Sequence, residues 1–273
     1  MKKYTLLLLA TATLSVAGTT ARGEILDDIN ARKSLICGVL GNLEPFGYQD
    51  PSAREVVGYE IDLCRALAES LGVKAELKVV SSQARIPELM QGRLDVLAAL
   101  ISYSPERAKQ VAFSNSYVTD TFRAIVDKDA GYTKLDDLAN ERISVIKGSF
   151  LEPLTQKRFP ESKVLSFEDA SAAFTALEQG RVSATIQRTT QARALQLKLG
   201  EEDNTVMMDE PLVKQKSGFA TRKDNPLFVA KMNAFLADYE KSGAAEKLYA
   251  KWIGEGSKFK LKREFTVGED IAN

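Results

Sequence analysis

Three arginines and the hydroxyls beside them are the residues of this chain best suited to chemistry, and that chemistry is the capture of an anion. Arg107 closes the run Ser104-Pro105-Glu106-Arg107, a capping serine, a proline at the first helical position and an acid in the first turn. It follows directly on an apolar, strand-like run at 94–100. An arginine fork there, with the Ser102 hydroxyl and free helix N–H groups, makes a carboxylate site, although a solvated surface arginine fits the same position. Lys147-Gly148-Ser149-Phe150 is a second anion candidate, because a strand ends, glycine lets the backbone turn closely and a helix begins; a plain strand–helix turn has the same pattern. Arg85, within Ser81-Ser82-Gln83-Ala84-Arg85-Ile86-Pro87, is either a further anion contact or a charge beside a helix start. Phe46 and Tyr48, flanked by Pro45 and Gly47, either wall a ligand or pack a loop.

What the composition lacks narrows the chemistry further. The 273 residues contain no histidine, which removes Ser-His-Asp and Cys-His nucleophiles, His-ligated zinc and imidazole acid–base catalysis. Two cysteines without histidine are too few for a metal site, and neither a metal nor a cofactor is expected. Lys plus Arg and Asp plus Glu balance at 37 each, so no basic excess points to nucleic acid or an anionic membrane.

The amino terminus reads as a secretory signal peptide: Lys2 and Lys3, an apolar run at 6–17, then small residues, with cleavage between 18 and 23. The apolar run is shorter than the roughly 20 residues of a membrane span. Removing Lys2, Lys3 and Arg22 leaves 34 basic against 37 acidic residues, a mildly acidic exported protein. Export permits a disulfide between Cys37 and Cys64, but both sit at apolar positions where cysteine commonly serves as a small buried hydrophobe, and that reading is preferred.

The elements that must position these residues alternate between strand and helix. Strand-like runs lie at 36–40, 77–80, 94–100, 143–146, 164–166, 182–186 and 206–208. Ile61, Cys64, Leu67, Ala68 and Leu71 share a helical face ended by Gly72, and two amphipathic helices follow at 226–239 and 244–252. Such alternation argues for parallel pairing with helices on both faces. Leu89-Met90-Gln91-Gly92-Arg93-Leu94 recurs as Leu177-Glu178-Gln179-Gly180-Arg181-Val182, each a helix end, a glycine and a strand start, which suggests two similar lobes. Ligands bind beyond the carboxyl ends of such strands. Eight residues past each glycine stand Leu100, just ahead of Ser102, and Arg188, which should therefore line an inter-lobe cleft.

Gly58-Tyr59-Glu60-Ile61-Asp62-Leu63 resembles the signature of the periplasmic solute-binding proteins of polar amino-acid ABC transporters, bacterial extracellular solute-binding protein family 3. Glu44-Pro45-Phe46-Gly47-Tyr48, Gly92-Arg93-Leu94-Asp95, Phe113-Ser114-Asn115-Ser116-Tyr117, Leu135-Asp136-Asp137-Leu138 and Lys251-Trp252-Ile253-Gly254 follow in the family's order, so the resemblance runs from about Leu35 to Gly254. It implies a two-lobed α/β fold of the periplasmic-binding-protein type II, two mixed sheets with flanking helices joined by crossover strands near 117–126 and 215–222. The expected division is a signal peptide at 1–23, a first lobe at 24–120, a second at 121–217 and a return to the first at 218–273. It also implies a monomeric, non-enzymatic periplasmic protein that delivers a small molecule to an inner-membrane ABC permease.

By the same resemblance Arg107 and Ser102 grip a ligand α-carboxylate, assisted by backbone N–H groups around Ser149 and Phe150, with Phe46 and Leu100 alongside. Ser82-Gln83-Ala84-Arg85 is similar to the glutamate/aspartate branch, where the serine and arginine meet a side-chain carboxylate. That branch has a second arginine where this chain has Leu40, and the aromatic walls of basic- and neutral-amino-acid binders are absent at Leu43 and Ser82. The larger departure is Arg188, which stands where the family generally has the aspartate that holds the α-ammonium, and Ile186-Gln187-Arg188-Thr189 offers no acid nearby. Either Arg188 swings outward, or Glu44 or Asp209 takes over the ammonium, or the ligand is an organic acid clasped by Arg85, Arg107 and Arg188. A cyclohexadienyl-dehydratase-like enzyme on the same fold and a sensor docking a separate receptor are the alternatives to a transport protein.

Overall fold

The computed structural model describes residues 25–52, 54–147, 149–200 and 204–272. The expected signal peptide and Gly148 lie outside them. The chain starts with α1 (Ile25–Arg32), β1 (Ser34–Val39) and a small three-stranded sheet of β2 (Asn42–Leu43), β3 (Gly47–Gln49) and β4 (Val56–Val57). Then come α2 (Tyr59–Ser70), β5 (Lys74–Val79), α3 (Arg85–Met90), β6 (Val96–Ala98) and α4 (Pro105–Ala108). The long β7 (Val111–Asp127) leads to β8 (Arg142–Ile146), α5 (Leu151–Arg158), β9 (Lys163–Phe167), α6 (Ala170–Glu178), β10 (Ala184–Arg188) and α7 (Thr189–Leu199). A second long strand, β11 (Thr205–Arg222), returns to α8 (Pro226–Lys241) and α9 (Ala244–Trp252).

The main sheet has the order β5-β1-β6-β11-β7-β10-β8-β9. Its two ends are mirror-like parallel triplets, β5-β1-β6 and β9-β8-β10, and the antiparallel pair β7/β11 runs between them. Each triplet is built by helical crossovers, which parallel pairing requires. The internal similarity is structural: α3 leads through Gly92 to β6 and α6 leads through Gly180 to β10, both glycines left-handed at φ 74° and 64°. Separate apolar clusters fill the two ends. Leu35, Val39, Ile61, Leu67 and Phe228 belong to one; Val126, Ile143, Val145, Phe159 and Ile186 belong to the other. This is the two-lobed α/β architecture, and the crossovers are longer than the sequence suggested because Val111 to Ser116 and Thr205 to Lys214 also pair.

Cys37 on β1 and Cys64 on α2 form a disulfide, correcting the preference for two free, buried cysteines. Apolar periodicity reports that both residues face the core, and it is blind to whether they face each other; here their Cα atoms are 6.6 Å apart, within bonding range. No helix among the described residues is long and apolar enough to cross a membrane.

Beyond α9 the chain continues as an extended segment across both crossover strands. Leu261 N–H donates to the Ile253 carbonyl, Gly268 N–H to Ser116 and Ser116 N–H back to Glu269. Glu264 takes two hydrogen bonds from Arg123, at 2.9 and 3.0 Å, and Lys216 pairs with Glu269 at 3.1 Å. Arg193 of α7, in the second lobe, donates to the Phe259 carbonyl at 3.3 Å.

Candidate functional site

The first group of expected site residues sits on and beside the loop after β6. Ser104 caps α4 as its sequence indicates, accepting from Arg107 N–H at 3.3 Å, with Pro105 at the first helical position. The half-buried Arg107 side chain folds back so that Nη1 donates to the Ser102 carbonyl at 2.8 Å. Arg85 spans the same loop, donating from Nη1 to the carbonyls of Ala99 (2.6 Å) and Leu100 (3.0 Å) and from Nε to Ser82 (3.0 Å). Leu100 is left-handed at φ 47°, an uncommon conformation for a leucine. Its amide is held by Glu60, whose Oε1 accepts from Leu100 N–H at 2.5 Å and from the Tyr117 hydroxyl. Glu60 Oε2 is buried with no hydrogen-bond partner among the described residues, and burial raises this carboxyl to a pKa of about 7 against the opposing hydrogen bonds of Tyr117 and Leu100.

Glu60 reaches this position because Gly58 ends the preceding loop at φ 142°, where a Cβ would lie 2.3 Å from the Phe46 carbonyl oxygen. The carbonyls of Pro45 and Phe46 accept the N–H groups of Tyr59 and Glu60, both at 2.9 Å, so loop backbone satisfies these donors of α2. Phe46 itself is 1% exposed and packs edge-on against Tyr59 in the first-lobe core. That corrects its reading as a cleft wall: the flanking Pro45 and Gly47 turn its ring inward.

The second group lies after β8, at the start of α5 and at the end of β10. Ser149 donates both its amide (3.2 Å) and its hydroxyl (2.6 Å) to the Ile146 carbonyl, so it closes a turn and its N–H is not offered to a ligand as the sequence suggested. Phe150 is 44% exposed, with its ring edge-on to Phe122 at 5.1 Å. Arg188, at the end of β10, lies over the Phe122 ring at 4.9 Å and forms an ion pair with Asp120 on β7.

The Asp120 pair is the main correction to the sequence reading of Arg188. Asp120 is 68 residues away in the chain, and β10 pairs with β7 so that Arg188 lies opposite Phe122. The strand pairing therefore supplies the acid that the local sequence lacks. Glu44, one of the acids considered for a ligand ammonium, instead pairs with Lys258 at 2.7 Å. Arg85 feels the charge of both other arginines. Burial lowers the pKa of Arg85, the charge of Arg107 lowers it further and that of Arg188 adds in the same direction, against the acids Glu60 and Tyr117. Ser102 is half-buried at a bridge to Ser217, whereas Ser82 is exposed and meets Arg85 through its carbonyl. A cavity of about 420 Å³ opens between β7, α7, α9 and the C-terminal segment, with Asp120, Arg188, Thr190, Tyr249 and Leu261 among its walls. The sequence pattern of β7 gave no sign of Asp120, and Glu60 was read only as part of a motif.

The fold is a two-lobed sheet joined by paired crossover strands. The sequence profile of the bacterial extracellular solute-binding proteins, family 3, matches residues 35–255. The chain belongs to this family. Among curated family members, the ABC transporter glutamine-binding protein of Bacillus subtilis (strain 168) is 29% identical over 88% of each chain. The glutamate/aspartate import solute-binding protein of Salmonella typhimurium (strain LT2) is 29% identical over 86% of this chain and 82% of its own. Among solved structures, an ancestral cationic amino acid solute-binding protein has 31% identity and a TM-score of 0.73 over 85% of this chain and 100% of its own. The family match ends at residue 255, so the segment that crosses both long strands lies outside it.

Proposed function

We propose that this solute-binding protein is the substrate-binding component of an amino-acid ABC importer, capturing an acidic amino acid or a related dicarboxylate by closure of its lobes. What supports the ligand class is that Arg85, Arg107 and Arg188 bring three positive charges to the loop after β6 and the end of β10, near enough for Arg107 and Arg188 to act on Arg85, against the ion-paired Asp120 and a Glu60 carboxyl that burial raises toward neutrality. The relatives' printed ligands range from glutamine to glutamate and aspartate, so side-chain preference rests on these residues and not on membership. The lobes divide within the long strands, at 120/121 and 217/218, and ligand contacts made from both sides favour the closed form over the open one. A permease that recognises the closed form receives the solute, and the protein acts as an exported monomer.

Calorimetry with glutamate, aspartate, glutarate, succinate, glutamine and arginine tests this reading. Acidic ligands are expected to bind in the micromolar range, about −8 kcal/mol, and Arg107→Ala to abolish binding with the fold intact. Tight binding of arginine or glutamine with no response to the acids would refute the ligand class. Glutamate binding that survives Arg188→Ala, with no dicarboxylate binding, would remove Arg188 from the grip. One feature favours a second reading: Glu60 carries a carboxyl that burial raises toward neutrality, the property a dehydratase acid needs. Its full burial and its bonds to Leu100 and Tyr117 favour a structural part, and formation of the aromatic product from prephenate would reverse that view.

A further inference from the structure

The segment after α9 is fixed to the first lobe along its length. Tyr249 of α9 donates its hydroxyl to the Lys262 carbonyl at 3.0 Å, and the largely buried Arg263 pairs with Glu240 of α8 and Glu246 of α9. Val267 N–H donates to Glu240 at 3.0 Å, and Asn115, near the start of β7, donates to the Gly268 carbonyl at 2.9 Å. Contacts with the second lobe are of another kind. Glu264 meets Arg123 with both oxygens and has Lys214 of β11 at 3.7 Å, while its own side chain stays 42% exposed. Arg193 of α7 adds a 3.3 Å bond to the Phe259 carbonyl. At this point the segment is a partition, since Glu264 and Phe265 wall both the cavity at Asp120 and a second one of about 380 Å³ beside Tyr103 and Gln215.

We propose that this segment is a latch between the lobes and that Glu264 is its catch: anchored on the first lobe, it holds the second through Arg123 in the arrangement that encloses the cavity at Asp120. The inference rests on the lobe division proposed above and not on the identity of the ligand. A two-point contact needs carboxylate and guanidinium side by side in one plane, so rotation of either lobe breaks it. The buried Arg263 and the backbone bonds to Ser116 keep the segment on the first lobe when that happens. Because Glu264 is half-exposed, the catch is weak enough to release and is screened by salt. A contact present in one arrangement and absent from the other shifts the population toward the first. Arg188 and Thr190 of the second lobe wall the cavity together with Leu261 and Phe265 of the latch, so the favoured arrangement is the one that retains a solute.

Spin labels at Glu69→Cys on α2 and Lys157→Cys on α5, both exposed positions, report the separation of the lobes in the full mature chain, with the native cysteines held in their disulfide. Glu264→Gln is expected to broaden the distance distribution of the empty protein and to leave the melting temperature unchanged. Raising the salt from about 0.05 to about 0.5 M should broaden the wild type in the same way and leave the variant as it is. Glu264 is changed and not Arg123, because Arg123 also donates to the carbonyls of Met208 and Asp209. With glutamate as the probe, stopped-flow dissociation should be about fivefold faster from the variant. An unchanged distribution in Glu264→Gln, or an equal salt response in both proteins, would overturn the latch. If glutamate or glutamine narrows the distribution while Glu264→Gln alters neither distance nor rate, lobe closure stands and the latch falls. If neither solute, salt nor substitution moves the distance, both fall together. A response to glutamine with none to glutamate would remove the acidic-ligand reading, and the empty-protein distances would still decide the latch.

Discussion

Glu60 is a carboxyl out of reach of solvent, with one oxygen bonded twice and the other unpartnered among the described residues. Burial holds it at about 7, against 4.5 for the free side chain. Between those values the folded protein keeps a proton that the unfolded chain has released. The stabilisation is therefore complete below pH 4.5 and is lost as the pH rises through about 7. Its size is on the order of 3 kcal/mol. Glu60→Gln keeps an acceptor for Leu100 and Tyr117 without a titrating proton, so urea midpoints of the variant should vary less across this range than those of the wild type. Parallel curves would show that Glu60 does not titrate there. Arg107 and Arg85 were legible as residues because each stands at a helix start, beside an apolar strand or a strand end. Their present partners were not, since the carbonyls of Ser102, Ala99 and Leu100 become acceptors only when Glu60 and Tyr117 hold the loop turned at Leu100.

At the scale of elements, the helix–glycine–strand repeats read from sequence at Gly92 and Gly180 are present, since a left-handed helix end admits few other residues. The strand at 94–100 is shorter than its apolar run, because Glu60 and Arg85 pull residues 99–100 out of the ladder. The disulfide joins α2 to β1 across 27 residues, and closing a loop of that length restricts the unfolded chain by about 3.5 kcal/mol in the chain-entropy account. Cys37→Ala with Cys64→Ala should lower the urea midpoint accordingly, and treatment with a reducing agent should move the wild type toward the variant without moving the variant itself. A reductant that shifts both equally would show that the bond is not the cause.

For the whole molecule, the segment after α9 ties the lobes together outside the residues that match the family. Phe259 and Val267 are 2% and 3% exposed, and Arg263 pairs with both Glu240 and Glu246. Ending the chain at Glu255 removes those two buried side chains, and their burial alone contributes about 3–5 kcal/mol. The truncated protein should melt earlier and also bind its ligand more weakly, because Leu261 and Phe265 wall the cavity at Asp120. Unchanged stability and affinity would show that the segment is merely appended. Solution scattering should register a smaller radius of gyration on adding glutamate to the full chain, the signature of lobe closure.

The order of apolar runs, helix caps and glycines in the sequence determined the fold, because those signals are local and each acts within one turn or one strand. The candidate arginines were local too, since each is read from the strand end or helix start beside it. Pairing across the chain was decided only in three dimensions. Asp120 meets Arg188 because β7 and β10 lie in one register, Cys37 meets Cys64 because α2 packs on β1, and Glu60 meets Leu100 because two loops converge. Periodicity states which way a side chain faces; contact between distant residues depends on register and packing, which no single segment encodes.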